Sequence, residues 1–247
     1  MRAKHLSKKI NKFKKGVDEM LGDKSISHGM SRALRHLRKE LLLYRNHVEG
    51  LERWTGSRGE LNDLNVQIGG GAHLLDGYLN IDIVPPADLI CDVREGLPLP
   101  NSCSNVVFSE HFLEHIDYPV SAKKFIFECH RILKRGGQLI IGVPDSELAV
   151  MSYVKRNKNF YKLAIRSWYS KRNCLKDFNT YIDLLNYHFR DQDDDKKYNP
   201  HFWAYDYEKI VDMMRRSGFV KIRRWKFDNR IANSKRKWGS IYVCGEK

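Results

Sequence analysis

A run of three glycines constrains this chain more than any other feature of its sequence. Residues 69–71 are all glycine and follow directly on the apolar segment Leu64–Ile68, and Asp82 ends the next apolar segment. Glycine lets a backbone turn approach a ligand closely, and a carboxylate at the tip of a neighbouring strand accepts hydrogens from ribose hydroxyls. The sequence therefore predicts an open α/β sheet with a nucleoside site at the ends of its first two strands.

The spacing after the glycines argues against a dinucleotide site. That fingerprint is G-x-G-x-x-G with an acidic residue about 20 positions further on. Here Leu74 stands where the third glycine belongs, and Asp82 follows only thirteen residues after Gly69. The phosphate-binding pattern G-x-x-x-x-G-K-[ST] does not occur in the sequence either. A ligand with a ribose but no pyrophosphate fits this spacing better.

Three further short apolar segments predict more strands of the same sheet, at residues 88–91, 104–108 and 138–143. A helical pattern runs from about residue 120 to 133 and stops at a pair of glycines. Strands that alternate with helices indicate a mostly parallel sheet, which binds its ligands beyond the carboxyl ends of the strands. Glycine or polar residues follow four of the predicted strands: Gly69–Gly71, Asp82, Asp92 and Ser109–His111.

Five ordered segments between residues 64 and 145 resemble the core of class I S-adenosylmethionine-dependent methyltransferases, in particular the small bacterial type often met beside surface-polysaccharide genes. The resemblance is fairly specific because the segments occur in the family's order over about a third of the chain. They are residues 66–71 (first motif), 77–82 (second motif), 92–93 (adenine contact), 109–116 (after the fourth strand) and 131–137 (turn before the fifth strand).

The resemblance implies S-adenosylmethionine as cofactor and a set of residues that bind it. The family usually has an acidic residue at the position of Gln67, whose amide can hydrogen-bond the cofactor but brings no charge attraction. The segment between Gly71 and Gly77 is also too short for the family's first helix. The implied cofactor-binding residues are Gln67, Gly69, Gly70, Gly71, Asp82, Asp92, Val93 and Ser109.

The end of the chain extends the resemblance. An amphipathic helix that opens near Asp206 and stops at Gly218 is followed by apolar segments at residues 220–222 and 241–244. These segments would complete the sheet. The predicted fold is α/β: a Rossmann-like, seven-stranded, mostly parallel sheet with helices on both faces, plus an N-terminal helical hairpin and a helical insertion after strand five.

Charge and pattern divide the chain into a basic amphipathic helical extension (1–58) and a methyltransferase domain (59–247), in which residues 146–200 form a lid-like insertion. The net charge is +14, and the first 60 residues hold fifteen Lys/Arg against seven Asp/Glu. Two amphipathic helices there would pack on each other, on the core or on a second subunit, as in a homodimer. A basic first helix could instead contact an anionic membrane surface through lysines at positions 8, 9, 12 and 15.

Methyl transfer is a displacement at the sulfonium methyl, so an amine acceptor needs only to be neutral, whereas a hydroxyl acceptor needs a base. His111 at the tip of the fourth strand is the first candidate base, followed by His115 and then His201, although each is also explained as a structural histidine.

The segment 111–115 has the H-x-x-E-H spacing of one class of zinc hydrolases. The neighbouring nucleoside motifs already explain that segment, so no metal is predicted. A divalent ion stays an alternative, because some quinone-forming methyltransferases carry a metal at a similar stretch.

The acceptor is expected to be a small molecule or a glycan. A sequence pI of about 9.5 makes nucleic acid the main rival. Against RNA or DNA, no Asn/Asp-Pro-Pro-aromatic turn follows strand four. A non-catalytic scaffold that binds an acidic partner is the alternative from another class.

The sequence predicts a reduced cytoplasmic protein, at most peripheral to the inner face of a membrane. Its five cysteines lack C-x-x-C spacing, and no apolar run approaches the roughly 18 residues of a membrane span.

Overall fold

The computed structural model describes residues 2–54, 61–166, 180–190 and 200–247. Seven strands form one sheet in the order β3-β2-β1-β4-β5-β7-β6. The strands are β1 Leu64–Ile68, β2 Leu79–Asp82, β3 Leu89–Ile90, β4 Ser104–Glu110, β5 Leu133–Pro144, β6 Val220–Arg224 and β7 Ser240–Glu246. The helices are α1 Arg2–Gly22, α2 His28–Trp54, α3 Val120–Ile132, α4 Ser146–Val154, α5 Lys158–Ala164, α6 Tyr181–Phe189 and α7 Tyr207–Arg216.

The sheet is mostly parallel, as predicted. Strands β1 to β5 run parallel to one another, whereas β7, which lies between β5 and β6, is antiparallel to both. Ile68 at the end of β1 pairs with Ile81 of β2 on one side and with Ser109 of β4 on the other. This register brings the carboxyl ends of three strands to one edge of the sheet. The α/β Rossmann-like fold with a seven-stranded sheet is therefore confirmed.

The two faces of the sheet are covered differently. On one face, strand residues such as Val66 and Val107 pack against α3 and α7, for example at Phe125 and Met213. On the other face, Phe108, Ile140 and Tyr242 pack against side chains from connecting segments: Leu75, Tyr78, Trp225, Phe227 and Ile231. Helices were predicted on both faces. Within the described ranges the second face is covered by loops instead, because the connection from β1 to β2 is too short to form a helix.

The predicted N-terminal hairpin is present and packs both on itself and on the sheet. Asp18 of α1 pairs with Arg38 of α2 at 2.8 Å, and Ser7 donates to Glu49 at 2.5 Å. At its far end α2 reaches the edge strand β3, where Gly50 lies directly against the backbone of Ile90. A Cβ added at Gly50 would lie 1.9 Å from the carbonyl oxygen of Ile90, so the helix approaches the strand more closely than any side chain permits.

The outer part of the hairpin has an apolar groove of about 450 Å³, in which Phe13 is 59% exposed. Lys9 and Lys12 border the groove, as the amphipathic pattern of α1 predicts. Contact between this basic helix and an anionic membrane surface stays a prediction, as does a homodimer. Among the described helices, none has a stretch apolar and long enough to span a bilayer.

The described parts of the insertion after β5 contain three helices, α4 to α6. The first begins directly after the strand, because the Asp145 carboxylate accepts a hydrogen bond from the Leu148 amide at 3.0 Å and caps α4. Four buried residues form a small core within the insertion, and Trp238 of the C-terminal region packs against this core. The four residues are Ala149, Phe160, Ala164 and Leu184. The predicted charged turn 191–197 lies outside the described residues. The division at residues 58 and 59 remains a prediction.

Candidate functional site

A cavity of about 610 Å³ opens at the carboxyl edge of the sheet, beyond β1, β2 and β4. Its volume falls within the range of small-molecule sites, about 300–1,000 Å³. Seven of the residues singled out from the sequence line this cavity: Gly69, Gly71, Asp82, Asp92, Val93, His111 and His115.

The glycine turn lines the cavity at Gly69 and Gly71, two positions whose positive φ angles favour glycine. Gly69 has a φ of +74°, and a Cβ added there would lie 2.4 Å from the Phe112 ring. Gly71 has a φ of +59°, and its amide donates to the carboxylate of Asp82 at 2.9 Å. The turn therefore exposes backbone to the cavity and positions the acidic side chain of the next strand.

Asp82 is held in a defined orientation by two backbone amides. Oδ2 accepts from Gly71, and Oδ1 accepts from Val84 at 3.1 Å. Burial raises the pKa of Asp82, and the hydrogen bonds from backbone amides partly oppose that rise. Each carboxylate oxygen keeps a second acceptor position. The arrangement suits a pair of neighbouring hydroxyls on a ligand in the cavity.

Gln67 does not line the cavity. Its side chain is 2% exposed; Oε1 accepts from the Leu75 amide at 3.0 Å, and Nε2 donates to the His73 carbonyl at 2.8 Å. Both ends of the amide are therefore engaged inside the protein, where they hold the turn that takes the place of the first helix. This placement does not match the predicted hydrogen bond between Gln67 and the cofactor.

Two other predicted cofactor contacts, Gly70 and Ser109, are not among the residues that line the cavity. A Cβ added at Gly70 would meet the Gln67 amide at 2.6 Å, so this glycine faces inward. Ser109 is 1% exposed, and its hydroxyl has no hydrogen-bond partner among the described residues. Neither residue is part of the lining found within the described ranges. The motif predicts that both residues lie near the cofactor, but the packing of the sheet determines that the Ser109 side chain is buried.

We expect Gln67→Leu to lower the free energy of unfolding by about 1–2 kcal/mol, because it removes two hydrogen bonds of a buried amide. Urea unfolding measures this loss. The matched control is His73→Ala, which removes an exposed side chain of the same turn but keeps the carbonyl that accepts from Gln67. Equal stability of the two variants would contradict a structural role for Gln67.

The carboxylate of Asp92 is bound by a neighbouring arginine. Arg94 donates to it from Nε at 2.9 Å and from Nη2 at 2.7 Å, and the same guanidinium reaches Glu40 of α2 at 2.9 Å. The amide of Asp92 donates to His47, also in α2, at 3.0 Å. Helix α2 further contributes Leu43 to the cavity wall. Asp92, which is predicted to contact adenine, is therefore part of a hydrogen-bond network that includes residues of α2.

Apolar residues that sequence reasoning missed make up much of the wall. After β2 the chain contributes Ile83, Val84, Pro85 and Pro86, and Phe112 closes the opposite side. The proline pair at residues 85 and 86 was the signal available in the sequence, because it disfavours continuation of a helix through this point. The apolar stripe predicted for the second helix does not include Leu43, so the sequence pattern did not show that this residue would line the cavity.

All three candidate histidines lie around Glu114. Nδ1 of His111 is 3.4 Å from Oε1 of Glu114, and Nε2 of His115 is 3.9 Å from the same oxygen. The His201 ring lies 4.8 Å from the His115 ring, centroid to centroid. Burial lowers the pKa of His111 well below its usual range and raises the pKa of Glu114 to about 8. His111 is therefore neutral near pH 7, where Glu114 still carries its proton.

His111 is further oriented by the last strand. Its Nε2 lies 2.7 Å from the Ser240 hydroxyl, and its backbone φ is +52°. A non-glycine residue with positive φ is uncommon and costs conformational energy, so the surrounding structure fixes this histidine in place. A neutral, fixed imidazole on the cavity wall can position a group that is bound in the cavity.

Residues 79–141 match a family model described as a methyltransferase domain, a range that includes Asp82, Asp92, His111 and His115. This range is therefore similar to a methyltransferase domain, and the match supports the expected cofactor. A comparison with curated proteins found no match.

Among solved structures, a S-adenosylmethionine-dependent methyltransferase from Thermotoga maritima, described as a possible histamine N-methyltransferase, is similar with a TM-score of 0.43 at 16% identity. The alignment covers 87% of this chain and 97% of that one. A S-adenosylmethionine-dependent methyltransferase from Methanosarcina mazei gives 0.46 at 15% identity, with 76% and 94% covered. Phosphoethanolamine N-methyltransferase 2 of Haemonchus contortus, in complex with S-adenosyl-L-methionine, gives 0.41 at 13% identity, with 81% and 52% covered.

Proposed function

We propose that this protein is a S-adenosylmethionine-dependent methyltransferase that acts on a small-molecule or glycan-type acceptor. The observation that carries the proposal is the Asp82 carboxylate, which two backbone amides hold beside a glycine turn in a cavity of suitable size. When bound, the cofactor supplies an electrophilic methyl group on a sulfonium, so the protein's task is to bind, align and exclude water.

The cavity fits the parts of this cofactor. Asp82 can accept both ribose hydroxyls, because each of its oxygens keeps an acceptor position. The apolar wall after β2 suits the flat adenine ring, and Asp92 with Arg94 borders that side. The turn of Gly69 and Gly71 leaves room for the amino-acid end of the molecule close to the backbone. We propose these as the cofactor contacts of the chain.

His111 and His115 are the proposed bases for a hydroxyl acceptor, because both lie on the cavity wall. His111 is the stronger candidate, since its ring is fixed between Ser240 and Glu114. An amine acceptor would need only a neutral nitrogen, and the same histidines would then position it.

A group of aromatic and basic side chains supports a sugar-like acceptor. Tyr118 stacks on Trp203 with ring centroids 4.8 Å apart, and Lys209 donates to the Tyr118 hydroxyl at 2.6 Å. Trp203 is 43% exposed, and the group begins two residues beyond Ile116 of the cavity wall. Flat rings beside a cation suit the apolar face of a sugar and a phosphate attached to it.

Calorimetric titration with S-adenosylmethionine and S-adenosylhomocysteine tests the proposal. We expect wild type to bind both, and Asp82→Ala to bind about 10- to 100-fold more weakly, because it loses hydrogen bonds to a charged group. Asp76→Ala is the matched control, since it removes an exposed carboxylate from the same connection and should bind like wild type.

Absence of binding by wild type would contradict the proposal and favour the alternative, a methyltransferase-fold scaffold for an acidic partner. The network that joins Asp92 through Arg94 to Glu40 is the observation that favours this alternative, because it occupies a carboxylate expected to face the cofactor. If binding is found, transfer of labelled methyl to sugar phosphates and lipid-linked glycans, with RNA in parallel, identifies the acceptor class.

A further inference from the structure

Glu114 carries a carboxyl group that is buried without hydrogen bonds from the described residues around it. Its side chain is 2% exposed, and among the described residues neither carboxylate oxygen has a hydrogen-bond partner. Nδ1 of His111 lies 3.4 Å and Nε2 of His115 lies 3.9 Å from Oε1 of Glu114, and neither contact is a hydrogen bond. Burial of an unsatisfied carboxyl group is costly, so such a group in a folded protein calls for a ligand or a special role.

The segment after residue 200 brings another histidine to this group. The amide of Phe202 donates to the backbone carbonyl of Glu114 at 2.8 Å, which fixes His201 next to it. Nδ1 of His201 lies 2.8 Å from the backbone carbonyl of His188. A carbonyl oxygen only accepts, so Nδ1 carries the proton and Nε2 is the nitrogen with the lone pair. Metal-binding histidines in proteins are typically oriented by such a bond from the other ring nitrogen.

We infer that Glu114, His115 and His201 form a binding site for a divalent transition-metal ion of the zinc class. One ligand atom from each residue lies within 4.8 Å of the other two. Tetrahedral ligands at the usual zinc distances lie about 3.4 Å apart, so small side-chain rotations would close the site. Two imidazoles and one carboxylate are donors that suit zinc, cobalt or iron, and three protein ligands leave coordination positions open.

The site lies at the wall of the cavity, because His115 belongs both to the metal site and to the cavity lining. The open coordination positions would therefore be accessible to an oxygen or nitrogen of a molecule bound there. That this molecule is the methyl acceptor rests on the proposed function. The metal site itself does not, since it depends only on the three side chains.

Titration of chelator-treated protein with Co²⁺ tests the inference, because cobalt in a site of low coordination number gives a visible absorption band. We expect wild type to bind one ion per chain. His201→Ala and Glu114→Gln should each weaken binding at least about tenfold, since each removes a ligand. The matched control is His36→Ala, which removes an exposed histidine of α2 and should bind like wild type.

A second measurement separates loss of the ligand from loss of the fold. Added Zn²⁺ should raise the melting temperature of wild type and of His36→Ala, because an ion that binds only the native state stabilises it. It should not raise that of Glu114→Gln or His201→Gln. Absence of a stoichiometric cobalt band in wild type, or a band of equal affinity in the ligand variants, would overturn the site. Titration with S-adenosylmethionine is independent: cofactor binding without cobalt binding overturns only the metal site, and the reverse result overturns only the proposed function.

Discussion

Replacing Gly50 by alanine is expected to lower the free energy of unfolding by about 3 kcal/mol, a large effect for the addition of one methyl group. The added Cβ would lie 1.9 Å from the carbonyl oxygen of Ile90 and 2.9 Å from its Cβ. A backbone carbonyl within a strand cannot move aside as a flexible side chain can. Helix α2 would therefore have to shift away from β3. Urea unfolding measures the loss of stability.

The same shift should weaken cofactor binding, because α2 carries Leu43 of the cavity wall and the Glu40 partner of Arg94. Calorimetry of Gly50→Ala against wild type measures this effect. Gly16→Ala is the matched control: Gly16 also lies in a long helix, but nothing lies within 4 Å of its added Cβ. This control should be neutral or more stable by up to about 1 kcal/mol, since alanine favours helix over glycine. Equal effects of the two substitutions would contradict the close contact between α2 and β3.

A second large effect is expected in the pH dependence of stability. We expect the free energy of unfolding of chelator-treated protein to fall by up to about 1.4 kcal/mol per pH unit between about pH 6.5 and pH 8. Burial raises the pKa of Glu114 from 4.5 to about 8 in the folded protein. Between these values the folded state keeps a proton that the unfolded chain has released, so stability falls as the pH rises. Urea unfolding at several pH values measures the slope.

Buried histidines act in the opposite sense at lower pH. Burial lowers the pKa of His188 to about 3 and that of His111 well below 6.5, so below about pH 6.5 the unfolded chain binds more protons and stability rises with pH. Above pH 6.5 this contribution ends. Glu114→Gln should therefore lose the decline between pH 6.5 and 8, whereas Glu208→Gln, at an exposed site in α7, should keep it. A decline that persists in Glu114→Gln would assign it to another group.

The sequence by itself determined the sheet and the edge at which the site lies. Each strand is a short apolar segment that can be recognised from its own residues. A parallel sheet then brings the carboxyl ends of its strands to one edge. For this reason Asp82 and the glycine turn were predicted where the structure has them, and Asp92 and His111 at strand ends beside them. The missing first helix could also be read from the short segment after Gly71.

Only the tertiary structure decided which way the side chains at that edge point and which distant residues join them. Gln67 faces inward because the turn that replaces the first helix needs both ends of its amide. Helix α2 closes the cavity because a glycine lets it reach β3. His201 meets Glu114 and His115 through a hydrogen bond between two backbone segments far apart in the chain. Spacing along a sequence reports neighbours within one element, whereas contacts between distant elements depend on how their surfaces pack.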